Sequence, residues 1–69
     1  MYRIKKEKSE MIKKKYKGTW LAEKLGVSAG YVSQIINYKL VSKMIAYCFT
    51  KALDENFEID DVFDKSEGE

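Results

Sequence analysis

Two short amphipathic helices separated by a tight turn are the feature that most constrains how this chain folds. In residues 19–37, apolar side chains recur at helical spacing on both sides of Gly26-Val27-Ser28. These side chains are Leu21, Ala22 and Leu25 before the turn, and Val32, Ile35 and Ile36 after it. So short a connection prevents the two helices from packing side by side as a hairpin. We therefore expect a steep crossing that leaves one face of the second helix exposed.

The size of the chain limits what else it contains. Its 69 residues form at most one domain, 1–69, for which we expect a core over about 9–63 and an acidic frayed tail over 64–69. A core this small rarely supplies more than about 3–5 kcal/mol without a metal, disulfides or a partner. With one cysteine and no histidine, neither a disulfide nor an ordinary zinc cluster is available. We expect no cofactor and no metal.

The single cysteine and the absence of long apolar runs bear on the compartment. Cys48 stands in an apolar helical run, which is typical of a small core residue. A free cysteine suits a reducing compartment. No apolar run approaches the roughly 18 residues of a membrane span, and no signal peptide precedes the charged start of the chain. The expectation is a soluble cytoplasmic protein without a membrane partner.

Charge is segregated along the chain, although the net charge is only +2. Residues 1–20 have a balance of +6, residues 21–53 of +3, and residues 54–69 of −7. Such asymmetry points to a polyanionic partner for the basic part. Taken alone, the lysines are explained equally well as the solvated face of a helix.

Glycine and serine residues mark the predicted helix ends. A first helix over roughly 6–16 is stopped by Gly18, and Thr19 caps a second helix that ends at Gly26. Ser28 and Ser42 are the predicted N-caps of the third and fourth helices. The third helix runs to about residue 36 or 37, the fourth covers 43–53, and residues 59–63 add a last helical turn.

The fourth helix has the clearest apolar stripe. Ile45, Phe49 and Leu53 lie one turn apart and are flanked by Met44, Cys48 and Ala52. No segment alternates convincingly with period two. The predicted fold is therefore all-α, a compact bundle of four to five helices.

Three motifs carry a resemblance to a known family. Leu21-Ala-Glu-Lys-Leu-Gly-Val-Ser28, Tyr31-Val-Ser-Gln-Ile35 and Asn37-x-Lys39 resemble the helix-turn-helix of the Cro/phage-repressor (Xre-like) transcription regulators. Thr50-Lys-Ala-Leu53 and Ile59-Asp-Asp-Val-Phe63 are similar to that family's fourth and fifth helices, so the resemblance covers about residues 9–63. It implies a lambda-repressor-like fold, binding to a double-stranded DNA operator, often as a homodimer, and control of phage or mobile-element genes.

The sequence departs from the family pattern at three points. Gly18 and Thr19 stand where the family commonly has a phosphate-clamping glutamine. Tyr38 follows Asn37 where glycine is usual, although Asn37 can itself take a left-handed backbone. The loop before the fourth helix is one residue short and lacks proline. Because Gly18 and Thr19 replace that glutamine, one expected contact with the DNA backbone is weakened.

Four residues of the third helix are expected to meet base edges: Ala29, Gly30, Ser33 and Gln34. The Gln34 amide can pair bidentately with adenine N6 and N7, and Ser33 can bond several bases. Ala29 offers a methyl group to a thymine methyl, and Gly30 permits close approach. The alternative is that Ser33 and Gln34 are only solvated polar residues.

Seven residues are expected to contact the DNA backbone: Lys17, Thr19, Ser28, Tyr31, Asn37, Lys39 and Lys43. Thr19 and Ser28 act with the N–H groups of their helix ends. Lys43 can also reach an adjacent minor groove. Tyr31 either bonds a phosphate or packs over the second helix. Tyr16 and Trp20 stand at helical core spacing and are predicted to be core or rim aromatics.

Other functions are less well supported by the sequence. An enzyme is not expected, because there is no histidine and no nucleophile–base pair, and Asp60, Asp61 and Asp64 lack the spacing of a calcium loop. The alternative function is a protein-binding antirepressor module that pairs with a companion repressor. Its contacts would be Val41, Met44, Phe57 or Phe63. Residues 54–63 are the expected homodimer interface.

Overall fold

The computed structural model describes residues 1–66, in which five helices and two short strands are present. In chain order they are β1 (Tyr2–Ile4), α1 (Lys6–Lys15), α2 (Gly18–Leu25), α3 (Ala29–Ile36), α4 (Lys43–Leu53), α5 (Ile59–Val62) and β2 (Phe63–Lys65). The chain is mostly helical, as expected. The prediction of an all-α fold is therefore confirmed in part: five helices are present in residues 1–66, and in addition two three-residue strands form a small sheet.

The sheet joins the two ends of the described chain. Strand β1 pairs antiparallel with β2, and Ile4 lies opposite Phe63. On its other side Tyr2 exchanges two backbone hydrogen bonds with Val41, of 2.7 and 2.8 Å. Residues 64 and 65, predicted to start a frayed tail, are therefore in ordered β structure, and residues 67–69 lie outside the described part of the chain. The sheet also fixes the loop that follows α3.

One hydrophobic core is built from all the helices and both strands. Its most deeply buried large side chains include Ile12, Leu21, Val32, Ile35 and Phe49. The Phe49 and Phe63 rings meet edge to face with centroids 5.6 Å apart. The core also includes Ile4, outside the predicted range of 9–63.

The core-facing side of α4 is rotated from the predicted stripe, although Phe49 and Leu53 of that stripe are buried as expected. Ala46, Phe49, Thr50 and Leu53 are buried. Ile45 is half-buried, whereas Met44 is 74% exposed and Cys48 is also exposed. The prediction of a buried Cys48 is wrong because the apolar stripe of α4 is rotated toward Ala46 and Thr50.

The helix starts agree with the sequence in two of three cases. The Ser28 hydroxyl accepts from the Tyr31 N–H at 3.1 Å, and the Ser42 hydroxyl accepts from the Ile45 N–H at 3.3 Å, so both predicted caps are confirmed. Thr19 is not a cap, because α2 already begins at Gly18 with Lys17 as the N-cap residue. Accordingly Gly18 does not stop α1, which ends at Lys15.

Helices α2 and α3 end in the same way. After α2, Gly26 has φ +72°, and the Val27 N–H donates to the Ala22 carbonyl at 3.0 Å. After α3, Tyr38 has φ +72°, and the Lys39 N–H donates to the Gln34 carbonyl at 3.0 Å. Each is the left-handed helix end for which glycine is best suited. The left-handed residue after α3 is Tyr38, not Asn37, whose φ is −94°.

No helix within residues 1–66 is long and apolar enough to cross a bilayer.

Candidate nucleic-acid interface

Helix α3 has one buried and one exposed side. Val32, Ile35 and Ile36 point into the core. Each residue of a helix is rotated by about 100° from the last, which puts the remaining polar and small residues on the opposite side. The four predicted base contacts, Ala29, Gly30, Ser33 and Gln34, are all exposed there, together with Asn37. The structure thus brings the predicted base contacts together on what we call the α3 face.

Local contacts shape this α3 face. The Asn37 side-chain amide donates to the Ser33 carbonyl at 2.9 Å and to the Ser33 hydroxyl at 3.4 Å. This pair of bonds holds the Ser33 and Asn37 side chains against each other. A Cβ added at Gly30 would meet only the Ser28 Oγ, at 3.9 Å, so the surface at Gly30 is open.

The C-terminal end of α1 lies beside the α3 face. Lys13, Tyr16 and Gly18 line one wall of a shallow groove. Ala29, Ser33 and Asn37 line the other wall, with Val32 and Ile36 between them. Lys13 belongs to the last turn of α1, and its position next to α3 was not predicted from the sequence.

A dense group of positive charges extends from that groove. Lys13, Lys14, Lys15 and Lys17 are all exposed within five positions of the sequence. Lys15 and Lys17 also flank Tyr16 and Trp20 in a neighbouring depression. A polyanion lying across the α3 face would meet these ammonium groups at its edge.

The start of α2 lies in the same region. The Lys17 carbonyl accepts from the Trp20 N–H at 3.1 Å, and no side chain caps this helix end. Thr19 is exposed in the first turn, where its hydroxyl and the helix-end amides are accessible to an anion. Lys17 and Thr19 thus lie in the region where backbone contacts are expected.

Of the other predicted DNA-backbone contacts, two lie at the ends of α3 and one lies away from it. Lys39 is exposed directly after α3, and Ser28 is exposed at its start. Lys43 lies elsewhere, in a depression shared with Tyr47, Glu58 and Asp60. The structure does not bring Lys43 together with the α3 face.

Tyr31 lies at the edge of the α3 face, one helical turn before Gln34. It is half-buried and packs against the core, and it lines an apolar groove with Leu25, Val27 and Ile35. Of the two roles that the sequence left open for Tyr31, this position favours packing over a phosphate contact.

The aromatic residues near the start of α2 form an exposed stack. The Tyr16 and Trp20 rings are nearly parallel, with centroids 5.1 Å apart and an interplanar angle of 18°. The Lys24 Nζ lies 4.7 Å from the centroid of the Trp20 ring. Tyr16 is half-buried and Trp20 is 39% exposed, so both are rim aromatics.

Six of the nine acidic residues within residues 1–66 lie in the α4–α5 loop, α5 and β2. They are Asp54, Glu55, Glu58, Asp60, Asp61 and Asp64, and all are exposed. One of them, Asp64, lies 3.6 Å from Lys5. Within residues 1–66, no three His, Cys, Asp or Glu side chains converge in a way that could hold a metal ion.

The apolar contacts expected of a protein-binding module are mostly unavailable. Val41 and Phe63 are buried, at 2% and 1% exposure, and Phe57 is half-buried. Met44 remains exposed.

Comparison of the chain with protein-family models, curated proteins and solved structures found no match.

Proposed function

We propose that this chain is a sequence-specific double-stranded DNA-binding transcription regulator, a cytoplasmic Cro-like repressor of phage or mobile-element origin. The observation that supports it best is the α3 face, where Ala29, Gly30, Ser33 and Gln34 are exposed on one side of a helix beside a cluster of lysines. The major groove of B-DNA is about 12 Å wide and admits one α-helix. In this proposal α2 and α3 form a helix-turn-helix, and α3 lies in the groove.

The base contacts in this proposal are few. Gln34 pairs with adenine through its amide, and Ser33 bonds a neighbouring base. Ala29 contacts a thymine methyl group, and Gly30 lets the helix approach the base pairs closely. Sequence preference is then modest and favours A·T pairs.

Most of the binding free energy comes from phosphate contacts. In this proposal Lys17, Thr19, Ser28 and Lys39, all of them exposed, supply these contacts. Neutralising about five phosphates makes log K fall with log salt concentration at a slope of about −4 to −5. Two copies on adjacent half-sites, one helical turn apart, would together read an operator.

The proposal is tested by the salt dependence of duplex binding. We expect the purified chain to shift a duplex, recovered by selection from random DNA, at micromolar concentration or below. Lys39→Ala should weaken binding to all sequences alike and lower the salt slope by about one. Lys6→Ala is the matched control, because Lys6 is exposed at the other end of α1. Absence of a salt-dependent shift, or equal effects of the two variants, would contradict the proposal.

A second candidate function is the antirepressor module, in which the chain binds a companion repressor. The exposure of Met44 and of Tyr47, at 74% and 50%, favours it. Tight binding to the companion repressor without any shift of duplex DNA would select this function over the first.

A further inference from the structure

An apolar groove lies between α2, α3 and α4. Leu25 and Val27 contribute from the end of α2 and the turn, Tyr31 and Ile35 from α3, and Met44 and Cys48 from the first half of α4. We call it the α2–α4 groove. It contains a partly open cavity of about 110 Å³.

The groove continues into a second depression along α4. Leu25 and Cys48 line both, and the second one adds Tyr47. Met44 and Tyr47 are among the most exposed large apolar side chains of residues 1–66. Exposed large apolar side chains beside a partly open apolar cavity form a surface on which another chain can dock.

The charges beside the groove are positive. Lys24 and Lys51 line the second depression, and none of the residues lining either depression is acidic. Both ammonium groups bond backbone carbonyls: Lys24 bonds that of Ala52 at 3.4 Å, and Lys51 bonds those of Glu55 at 3.1 Å and Phe57 at 2.8 Å. Both also lie against aromatic rings, Lys24 at 4.7 Å from the centroid of Trp20 and Lys51 at 5.6 Å from that of Tyr47. Within residues 1–66 neither lysine forms an ion pair with a carboxylate, so neither positive charge is neutralised by an acidic side chain.

We propose that the α2–α4 groove binds an acidic amphipathic helix of another protein. One apolar side chain of that helix enters the cavity, and the flanking Asp or Glu side chains face Lys24 and Lys51. This is the helix-in-groove mode of recognition, with charge complementarity fixing the orientation. None of Ala29, Gly30, Ser33 and Gln34 lines the groove, so the α2–α4 groove and the α3 face are made of different residues.

Two synthetic peptides test this proposal directly. Both carry the same helical stripe of leucines, and one is flanked by glutamates while the other is flanked by lysines. NMR titration of the full chain should show binding of the acidic peptide, with shift changes centred on Leu25, Val27, Met44 and Cys48. The basic peptide should not bind. Equal binding of the two peptides, or shift changes centred on the α3 face, would overturn the proposal.

Variants on the surface of α4 sharpen the test. Cys48→Glu places a negative charge in the groove and should weaken binding of the acidic peptide at least about tenfold. Lys6→Gln lowers the net charge by the same one unit at an exposed position of α1, a helix that contributes no residue to the groove, and should leave binding unchanged. Should Cys48→Glu fail to fold, as judged by circular dichroism, Met44→Ser also removes groove surface, at a side chain that is 74% exposed. Unchanged peptide affinity in the folded groove variants would overturn the proposal.

Sedimentation of the chain alone tests whether the groove is occupied by a second copy of this chain instead of a helix of another protein. We expect a monomer whose sedimentation is not changed by Cys48→Glu. Self-association that Cys48→Glu abolishes would assign the groove to a second copy of the chain and would overturn the proposal. None of these measurements uses DNA, so their outcome is independent of the function proposed for the α3 face.

Discussion

The two sides of α3 differ in what they contribute to the molecule. On one side Val32 and Ile35 are completely buried and hold α3 in the core. On the other side Ser33 and Gln34 are exposed. Burial of apolar surface supplies most of the favourable free energy of folding. Replacements on the buried side should therefore change folding strongly, whereas replacements of Ser33 or Gln34 should change binding with little effect on folding.

The largest expected effect is on the buried side. Ile35→Ala removes a side chain with 0% exposure and leaves a cavity, so we expect a loss of about 2–5 kcal/mol in the free energy of unfolding. In a domain of this size such a loss approaches the whole stability. Urea denaturation followed by circular dichroism measures it. Gln34→Ala, one residue earlier, is the control and should change stability by less than about 0.5 kcal/mol. Similar losses in the two variants would refute the division between the sides.

Ser9 shows that a buried polar group also holds α3. Its hydroxyl is fully buried and donates to the Ile36 carbonyl at 2.6 Å, joining α1 to the last turn of α3. Ser9→Ala leaves that carbonyl without its partner and should cost about 1–3 kcal/mol. Thr50→Val is the matched variant, because the Thr50 hydroxyl is buried without a hydrogen-bond partner. Denaturation curves should show Ser9→Ala less stable and Thr50→Val at least as stable as the parent chain, and the reverse order would be contrary to this interpretation.

The ends of α2 and α3 provide a smaller comparison. Gly26 and Tyr38 share a φ of +72°, which is unfavourable for a residue with a Cβ. Tyr38→Gly should therefore stabilise the chain by up to about 1 kcal/mol, and Gly26→Ala should destabilise it by a similar amount. Thermal unfolding of both variants measures the two changes. If both variants shifted the unfolding temperature in the same direction, the left-handed geometry would be contradicted at one of the two positions.

Replacing Gly30 is expected to give a small gain in stability and a loss of duplex affinity. Space around Gly30 is open, and alanine is favoured over glycine inside a helix by about 0.5–1 kcal/mol. Gly30→Ala should raise the unfolding free energy by about that amount. Duplex affinity should fall, because the added methyl group lies on the α3 face. Fluorescence anisotropy measures the affinity, and an unchanged value would place Gly30 outside the interface.

Much of the helical fold could be predicted from local sequence, but the sheet could not. The caps Ser28 and Ser42 and the left-handed Gly26 act within one helix turn, so their residue types were sufficient. Strands β1 and β2 each have only three residues, too few for a period-two pattern. Their pairing joins opposite ends of the described chain, and no local signal specifies it.

Which edge of the apolar stripe of α4 faces the core could not be predicted from the sequence either. Apolar residues lie on both edges of its stripe, Met44 and Cys48 on one and Ala46 on the other. Packing against the neighbouring elements, including the contact of Phe49 with Phe63, decides between the two edges.

The α3 face was predictable because helical spacing determines which residues share a side. Lys13 was missed because its position beside Ser33 and Asn37 depends on how α1 packs against α3. The alternatives for Tyr31 stayed open for the same reason, since only tertiary packing decides which surface it lines.

The most direct test of DNA reading by the α3 face is the affinity of Gln34→Ala for its selected duplex and for random duplex at one salt concentration. We expect the variant to lose about 1–3 kcal/mol of binding free energy on the selected duplex, confined to one base position, and little on random duplex. An equal loss on both duplexes, or no loss on either, would contradict base reading by α3.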